Sequence, residues 1–210
     1  MAKPTIYGTP GSRTYRVLWL AKELGIDYDH VPVNHHKHEN EAPDYAKINP
    51  NAKIPALRDG DFVLWESLAM NIYLAHQHPG AVSPKSYEEE MLAVQWSMWG
   101  LTEVETPAAD LMNELQKPEA KRSADVIAHL REKLPKPLGV LNGVLADRDY
   151  LVGDRFTVAD LNTAAAIRVI FRCGMDLKPY PNVEKWFESC VSRPAAKEAI
   201  GMQAQAMAAA

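Results

Sequence analysis

Cysteine is nearly absent from this chain. Its 210 residues include two, Cys173 and Cys190, with no CxxC pair and no metal-type spacing. That excludes a disulfide framework and points to a reducing, cytoplasmic setting. An excess of one charge sign is also missing. A net charge of -4 gives no footing for a nucleic-acid or anionic-membrane partner. No run approaches about 18 uninterrupted apolar residues, so no segment reads as spanning a bilayer. The opening MAKPTIYG lacks the apolar stretch of a secretory signal. There is no internal repeat, and the closing AQAMAAA reads as a frayed end. What is present is ordinary for a globular protein: 47% apolar residues, and length enough for one large or two small cores.

The two halves follow different patterns. Thr5-Ile6-Tyr7 reads as a short strand ending at Gly8. Val17, Leu18, Ala21 and Leu24 recur at helical spacing, and Gly25 closes that helix. Tyr28 to Val33 reads as a second strand, which makes a parallel βαβ unit. A short helical stretch spans Pro43 to Ile48. Pro55-Ala56-Leu57 and Phe62-Val63-Leu64 flank Asp59-Gly60, a hairpin signal, and a helix follows from Ser67 to about His76. The order is βαβ, a helix, then ββα, an α/β first domain over 1–78. Pro79-Gly80 to Tyr87 reads as a linker.

From 88 to 210 the strand signals almost vanish, leaving an all-α second domain. Met91, Val94, Met98 and Leu101 mark a long amphipathic helix. Others are expected over Pro118 to Leu134, Leu138 to Ala146 and Pro181 to Ser192. Thr157-Val158-Ala159-Asp160 has the form of a helix start, in which the Thr hydroxyl caps a free amide and the acid reaches back. The helix it opens, Leu161 to Phe171, is apolar nearly all round, the pattern of a helix at the centre of a bundle.

Four stretches, in this order, carry a family resemblance: YGTPGSRTYRVLWLAKELGIDYD, NPNAKIPAL, WESLAMNIYLA and VGDRFTVADL. With them the chain resembles the cytosolic glutathione transferases over nearly its whole length, and within them the serine-type, theta- or phi-like bacterial members. The resemblance implies a thioredoxin-like first domain, an all-helical second domain and a homodimer. It implies a transferase that conjugates glutathione to a small apolar electrophile, with no metal and no cofactor beyond the co-substrate glutathione. A noncatalytic interaction module on the same fold, and a glutathione-dependent peroxidase or isomerase, are the competing readings.

The resemblance also assigns roles to residues. Pro55 is expected in cis, turning the chain so that the backbone N–H and C=O of Ile54 face outward and pair like a strand edge with the cysteinyl backbone of glutathione. Ser67, at the N-terminus of the helix after the hairpin, would receive the γ-glutamyl carboxylate, and Glu66 the γ-glutamyl ammonium. Simple helix capping is the competing reading of Ser67, and it is compatible with ligand binding. Lys53 is the candidate cation for the glycine carboxylate, with Asn40 and His38 in the loop where relatives carry a second donor. His35-His36-Lys37-His38 reads as a solvated loop and not as a metal site.

A free thiol with a pKa near 8.5 is only about 3% thiolate at pH 7. Lowering that pKa by two units takes about 2.7 kcal/mol of preferential anion stabilisation. A hydroxyl donor beside a helix N-terminus is suited to supply it. Ser12, four residues before Arg16, resembles the SxxxR spacing of serine-type members and is the candidate donor. Tyr7, Thr14 and Arg13 compete for the role. An enzyme cysteine is missing from this loop, which argues against disulfide-exchange chemistry. The second substrate is expected between the domains, near Tyr15, Trp96, Trp99, Arg168 and Phe171, although Trp96, Trp99 and Phe171 each read more readily as bundle core.

Overall fold

The computed structural model describes residues 3–209. Met1, Ala2 and Ala210, the outer ends of the two expected domains, lie outside the described residues. The chain forms two compact units, one running to Lys85 and resuming at Ser192, the other covering Ser86–Val191.

The first unit is built on a four-stranded sheet with β1 Thr5–Tyr7, β2 Asp29–Val31, β3 Ala56–Asp59 and β4 Phe62–Trp65. The strand order is β2-β1-β3-β4. The β1–β2 pair is parallel, and β3 runs antiparallel to both β1 and β4. This is the mixed sheet of a thioredoxin-like domain. Ile6 pairs with Leu57 at the centre, and both are fully buried, about 1.5–3 kcal/mol of apolar transfer each. The β3–β4 hairpin turns through Gly60, whose φ of +60° suits glycine. Three helices accompany the sheet: α1 Tyr15–Leu24, the short α2 Pro43–Ala46 and α3 Ser67–Gln77. Gly25 ends α1 in the left-handed conformation, as its position suggested.

The periodicity of α1 predicts one buried face, yet every residue from Tyr15 to Ala21 is buried. Further along the chain lies the reason. α1 packs against α3 and also against α10, Pro194–Ala208, which extends into the closing AQAMAAA expected to fray. Arg193 Nε and Nη2 donate to Glu23 Oε1 and Oε2, each at 2.7 Å, and Lys22 pairs with Glu198. The tail therefore belongs with the first unit and not with the bundle.

The second unit is all helical: α4 Tyr87–Trp99, α5 Thr106–Gln116, α6 Ala124–Lys133, α7 Pro135–Val144, α8 Val158–Ile167 and α9 Pro181–Val191. Every residue of α8 is buried, and α8 packs on both α4 and α9. Its capping box forms. Asp160 Oδ2 accepts from Thr157 N at 2.9 Å, and Thr157 Oγ1 accepts from Ala159 N at 3.3 Å. Asp160 Oδ1 also accepts from Leu151 N and from Trp186 Nε1, each at 2.9 Å. Burial pushes the Asp160 carboxyl above the usual carboxylate range, against the pull of these donors.

Several expected boundaries move. α4 begins at Tyr87, inside the expected linker, because Ser86 caps it through Glu89 N. The single helix over Pro118 to Leu134 is a turn at Glu119–Lys121 followed by α6, separated where Ser123 caps the new helix. α7 starts at Pro135, a residue suited to a first helical position. α8 stops at Ile167. Arg168–Cys173 continues as a tighter three-residue winding that Gly174 closes at φ +72°. Among the described residues no helix is long and apolar enough to cross a membrane.

Candidate functional site at one end of the sheet

Strand register assembles the site. Ala56 pairs with Tyr7 on one side and Trp65 on the other, and Tyr7 pairs with Val31. Because of the strand directions, the segments after Tyr7, after Val31, before Ala56 and after Trp65 all leave the sheet at the same end. Those segments carry Ser12, His38 and Asn40, Lys53-Ile54-Pro55, and Glu66-Ser67. Nearly every residue expected to meet glutathione is thus delivered to one end of one sheet.

The turn after β1 is built around Gly8. Its φ is +129°, its N–H donates to Val31 O at 2.9 Å, and His30 Nε2 lies 2.7 Å from its carbonyl. A Cβ at Gly8 would sit 2.3 Å from Thr14 Oγ1, 3.1 Å from Ile54 Cβ and 3.5 Å from Pro55 Cα. Only glycine lets these groups approach so closely. The chain then makes a helical turn over Pro10–Thr14, interrupted by the extended Ser12 at φ -103°, ψ -168°. Ser12 is half-buried, and its Oγ lies 2.8 Å from Thr9 O, 2.8 Å from Thr14 Oγ1 and 3.2 Å from Thr14 N. Thr14 is fully buried and Arg13 is exposed. Gly11 packs against Ala206 and Met207 of α10.

Tyr7 is taken up in packing. Its ring meets Tyr45 edge-on at 6.3 Å, within the small cluster of Val33, Tyr45 and Ala56. Ile54 packs against the same cluster. The Ile54–Pro55 bond is cis. Among the described residues the Ile54 N–H and C=O take no hydrogen bond. The segment just before them is firmly held. Tyr45 OH and Asn49 Nδ2 both donate to Lys53 O, each at 2.7 Å, and Asn40 Nδ2 donates to Ala52 O at 2.6 Å. Burial pushes the Tyr45 phenol up to about 12, so it remains a donor at any physiological pH.

Sequence reasoning missed Tyr45, Asn49, His30 and Gly8 as organising residues. No local pattern marks them: the burial of Asn49, 2% exposed, and its bond to Lys53 O arise from the fold of the turn around it. Asn40 serves the fold by holding Ala52. His38 is exposed, and its Nδ1 lies 2.9 Å from Glu41 Oε1, a contact that raises the His38 pKa. Lys53 is exposed and makes no ion pair among the described residues.

At the start of α3, Glu66 occupies the cap position with φ +72° and ψ 106°, and its side chain makes no capping hydrogen bond. Ser67 is therefore the first helical residue and not the cap. It is buried, and among the described residues its hydroxyl makes no hydrogen bond. An uncapped helix start with an unengaged hydroxyl is suited to an anion.

The residues expected at the electrophile are placed within their own units. Tyr15 is buried in α1, with the Arg16 guanidinium 5.9 Å from its ring centre. Trp99 is half-buried and meets the buried Trp96 edge-on at 5.2 Å. Arg168 is half-buried, and Phe171 is exposed with its ring 5.3 Å from Phe187.

Comparison with known proteins agrees with this layout. The family description "Glutathione S-transferase, N-terminal domain" matches residues 2–76, and "Glutathione S-transferase, C-terminal domain" matches residues 101–194. Glutathione S-transferase 3 of Zea mays is 33% identical, covering 95% of this chain and 94% of its own. The theta class glutathione S-transferase of Xanthomonas axonopodis pv. citri, solved with glutathione bound, is 31% identical with a TM-score of 0.84, covering 95% of this chain and 98% of its own. A glutathione transferase of Phanerochaete chrysosporium, 24% identical, shares the fold at a TM-score of 0.87 over 99% of this chain and 98% of its own. With relatives of this identity matched along nearly its full length, the chain belongs to the glutathione S-transferase family.

Proposed function

We propose that the chain is a serine-type, theta- or phi-like glutathione transferase, working as a cytoplasmic homodimer, that binds glutathione at the shared end of its sheet and conjugates it to apolar electrophiles. The observation that carries this is the open backbone edge at Ile54, flanked by the Ser12 turn and the uncapped start of α3. The cysteinyl backbone pairs with Ile54. The γ-glutamyl carboxylate takes Ser67 and the first turn of α3, and Glu66 takes the ammonium. Lys53, exposed and without an ion pair among the described residues, meets the glycine carboxylate.

Ser12 Oγ–H donates to the sulfur as thiolate, while the thiol proton passes to solvent. The sulfur then forms a C–S bond with an electrophilic carbon. In a substitution the leaving group departs with its bonding pair; in an addition the carbanion takes a proton from water. Stabilised thiolate and fixed geometry supply the rate, with no metal or further cofactor called for.

The test is a glutathione titration combined with ultraviolet thiolate absorbance of the bound ligand against pH. The expected result is saturable binding and a bound thiol pKa well below 8.5, with Ser12→Ala lowering turnover at nearly constant affinity. Absence of saturable binding would favour the interaction module. Binding with an unshifted thiol would leave a ligand site without transferase chemistry.

A further inference from the structure

The hydroxyl assigned to the sulfur is itself held by a second hydroxyl, and the geometry specifies the direction of their hydrogen bonds. Thr14 is fully buried, and Ser12 Oγ is the only hydrogen-bond partner of its hydroxyl among the described residues. A buried O–H needs an acceptor. If Ser12 donated to Thr14, the Thr14 proton would have none. The arrangement that satisfies both protons has Thr14 Oγ1–H donating to Ser12 Oγ at 2.8 Å and Ser12 Oγ–H donating to Thr9 O at 2.8 Å. Thr14 N–H, at 3.2 Å, adds a second donor to Ser12 Oγ. Both acceptor positions of that oxygen are then filled by donors, and its one proton is directed away from Thr14.

We infer that Thr14 is a positioning residue that polarises Ser12, so that Ser12 can only donate and donates more strongly to the glutathione sulfur. This rests on the glutathione reading above. A hydrogen-bond chain strengthens each member, and a hydroxyl that accepts two hydrogen bonds is a better donor through its third. The change of partner on ligand binding is small. The Ser12 proton turns from Thr9 O to the sulfur, and Thr9 O keeps the Ser12 backbone N–H at 3.1 Å. No proton is transferred between Thr14 and Ser12; the thiol proton leaves to solvent. The device also accounts for Gly8, because any side chain there would occupy the space of Thr14 Oγ1.

The experiment compares wild type, Ser12→Ala, Thr14→Val and Thr14→Ser by glutathione titration, bound-thiolate absorbance against pH, and the pH profile of kcat/KM with a chromogenic aryl chloride. Thr14→Val should bind glutathione as wild type does while raising the bound thiol pKa by about half to one unit. Its kcat/KM should fall about three- to tenfold below that pKa and converge on wild type above it. Thr14→Ser should restore both. A purely structural role would lower kcat/KM equally at every pH. If Thr14→Val does not fold, Thr14→Ala carries the same expectation in a smaller side chain. A wild-type thiol pKa that is unshifted, or a Ser12→Ala variant identical to wild type, overturns the glutathione reading and this inference together. A normal wild type and an impaired Ser12→Ala variant, beside a Thr14→Val variant with the wild-type thiol pKa and profile, overturn the inference alone.

Discussion

The starts of α8 and α3 are the same physical object used in opposite ways. Each carries the amides that a first helical turn leaves without intrahelical partners, and the positive end of a helix dipole. At α8 the chain fills the site itself: Thr157 and Asp160 close the capping box, and Leu151 N and Trp186 Nε1 complete the carboxylate's partners. At α3 the cap position holds Glu66, whose side chain makes no capping hydrogen bond, and the Ser67 hydroxyl is unengaged among the described residues. A satisfied helix start adds stability and is closed to ligands. An unsatisfied one gives up about 1 kcal/mol of capping and is available to an outside anion. The second unit uses the motif to fix its central helix, and the first leaves it open at the end of the sheet where the other candidate ligand residues emerge.

The comparison breaks most visibly at Asp160. Replacing it with Ala removes the acceptor for Thr157 N, Leu151 N and Trp186 Nε1, all in a buried setting. Each stranded donor costs about 1–3 kcal/mol, so Asp160→Ala should lose about 3–5 kcal/mol in urea unfolding. Glutathione affinity of the protein that remains folded should match wild type. A loss under about 1 kcal/mol would show that the cap contributes little to the second unit.

How much of this was legible depends on the range of the interaction. The α8 cap, Gly25 and the hairpin are set by residues within a few positions of each other and are readable from them, whereas the cis bond at Ile54-Pro55 follows from the family resemblance and not from its neighbours. The division into an α/β part and an all-helical part was readable too, because the hydrophobic period changes along the chain. The tail was not. Residues 204–210 read AQAMAAA, which shows no apolar stripe, and small side chains reveal their partner only where another backbone comes close, as Gly11 does. The bond from Asn40 Nδ2 to Ala52 O is not legible either, because Ala52 lies twelve residues on in a turn that no local rule places beside Asn40. Ser67 begins α3 where the sequence places the helix start, but the cap position falls to Glu66 at positive φ, which no local rule anticipates, and the Ser67 hydroxyl is left without an intrachain bond among the described residues.

Ser67→Ala sharpens the contrast from the other side. The hydroxyl has no intrachain bond to lose among the described residues, so stability should change by less than about 0.5 kcal/mol. Glutathione should bind about tenfold or more weakly, the worth of a hydrogen bond to a charged group. Calorimetric titration beside urea unfolding separates the two quantities. Equal affinity in the variant would remove Ser67 from the ligand site and leave the open end of α3 without a demonstrated use.

The smallest effect expected is at His38, and its sign is defined. Glu41, by its hydrogen bond and its charge, raises the His38 pKa above the ordinary histidine value. The folded state therefore holds that proton more tightly than the unfolded chain does. The contribution to stability is complete below the unfolded pKa and is lost as pH rises through the raised folded value. Both side chains are largely exposed, so screening by water leaves little of it to measure. Binding is the informative readout. S-methylglutathione has no ionisable thiol, so its titration across this window isolates the carboxylate contacts. With His38 paired to Glu41 and Lys53 free of ion pairs among the described residues, the affinity should stay flat. An affinity that falls as pH rises through the His38 transition would mean the imidazolium leaves Glu41 for the glycine carboxylate. The loop after β2 would then belong to the open, ligand-receiving side of the comparison, together with α3.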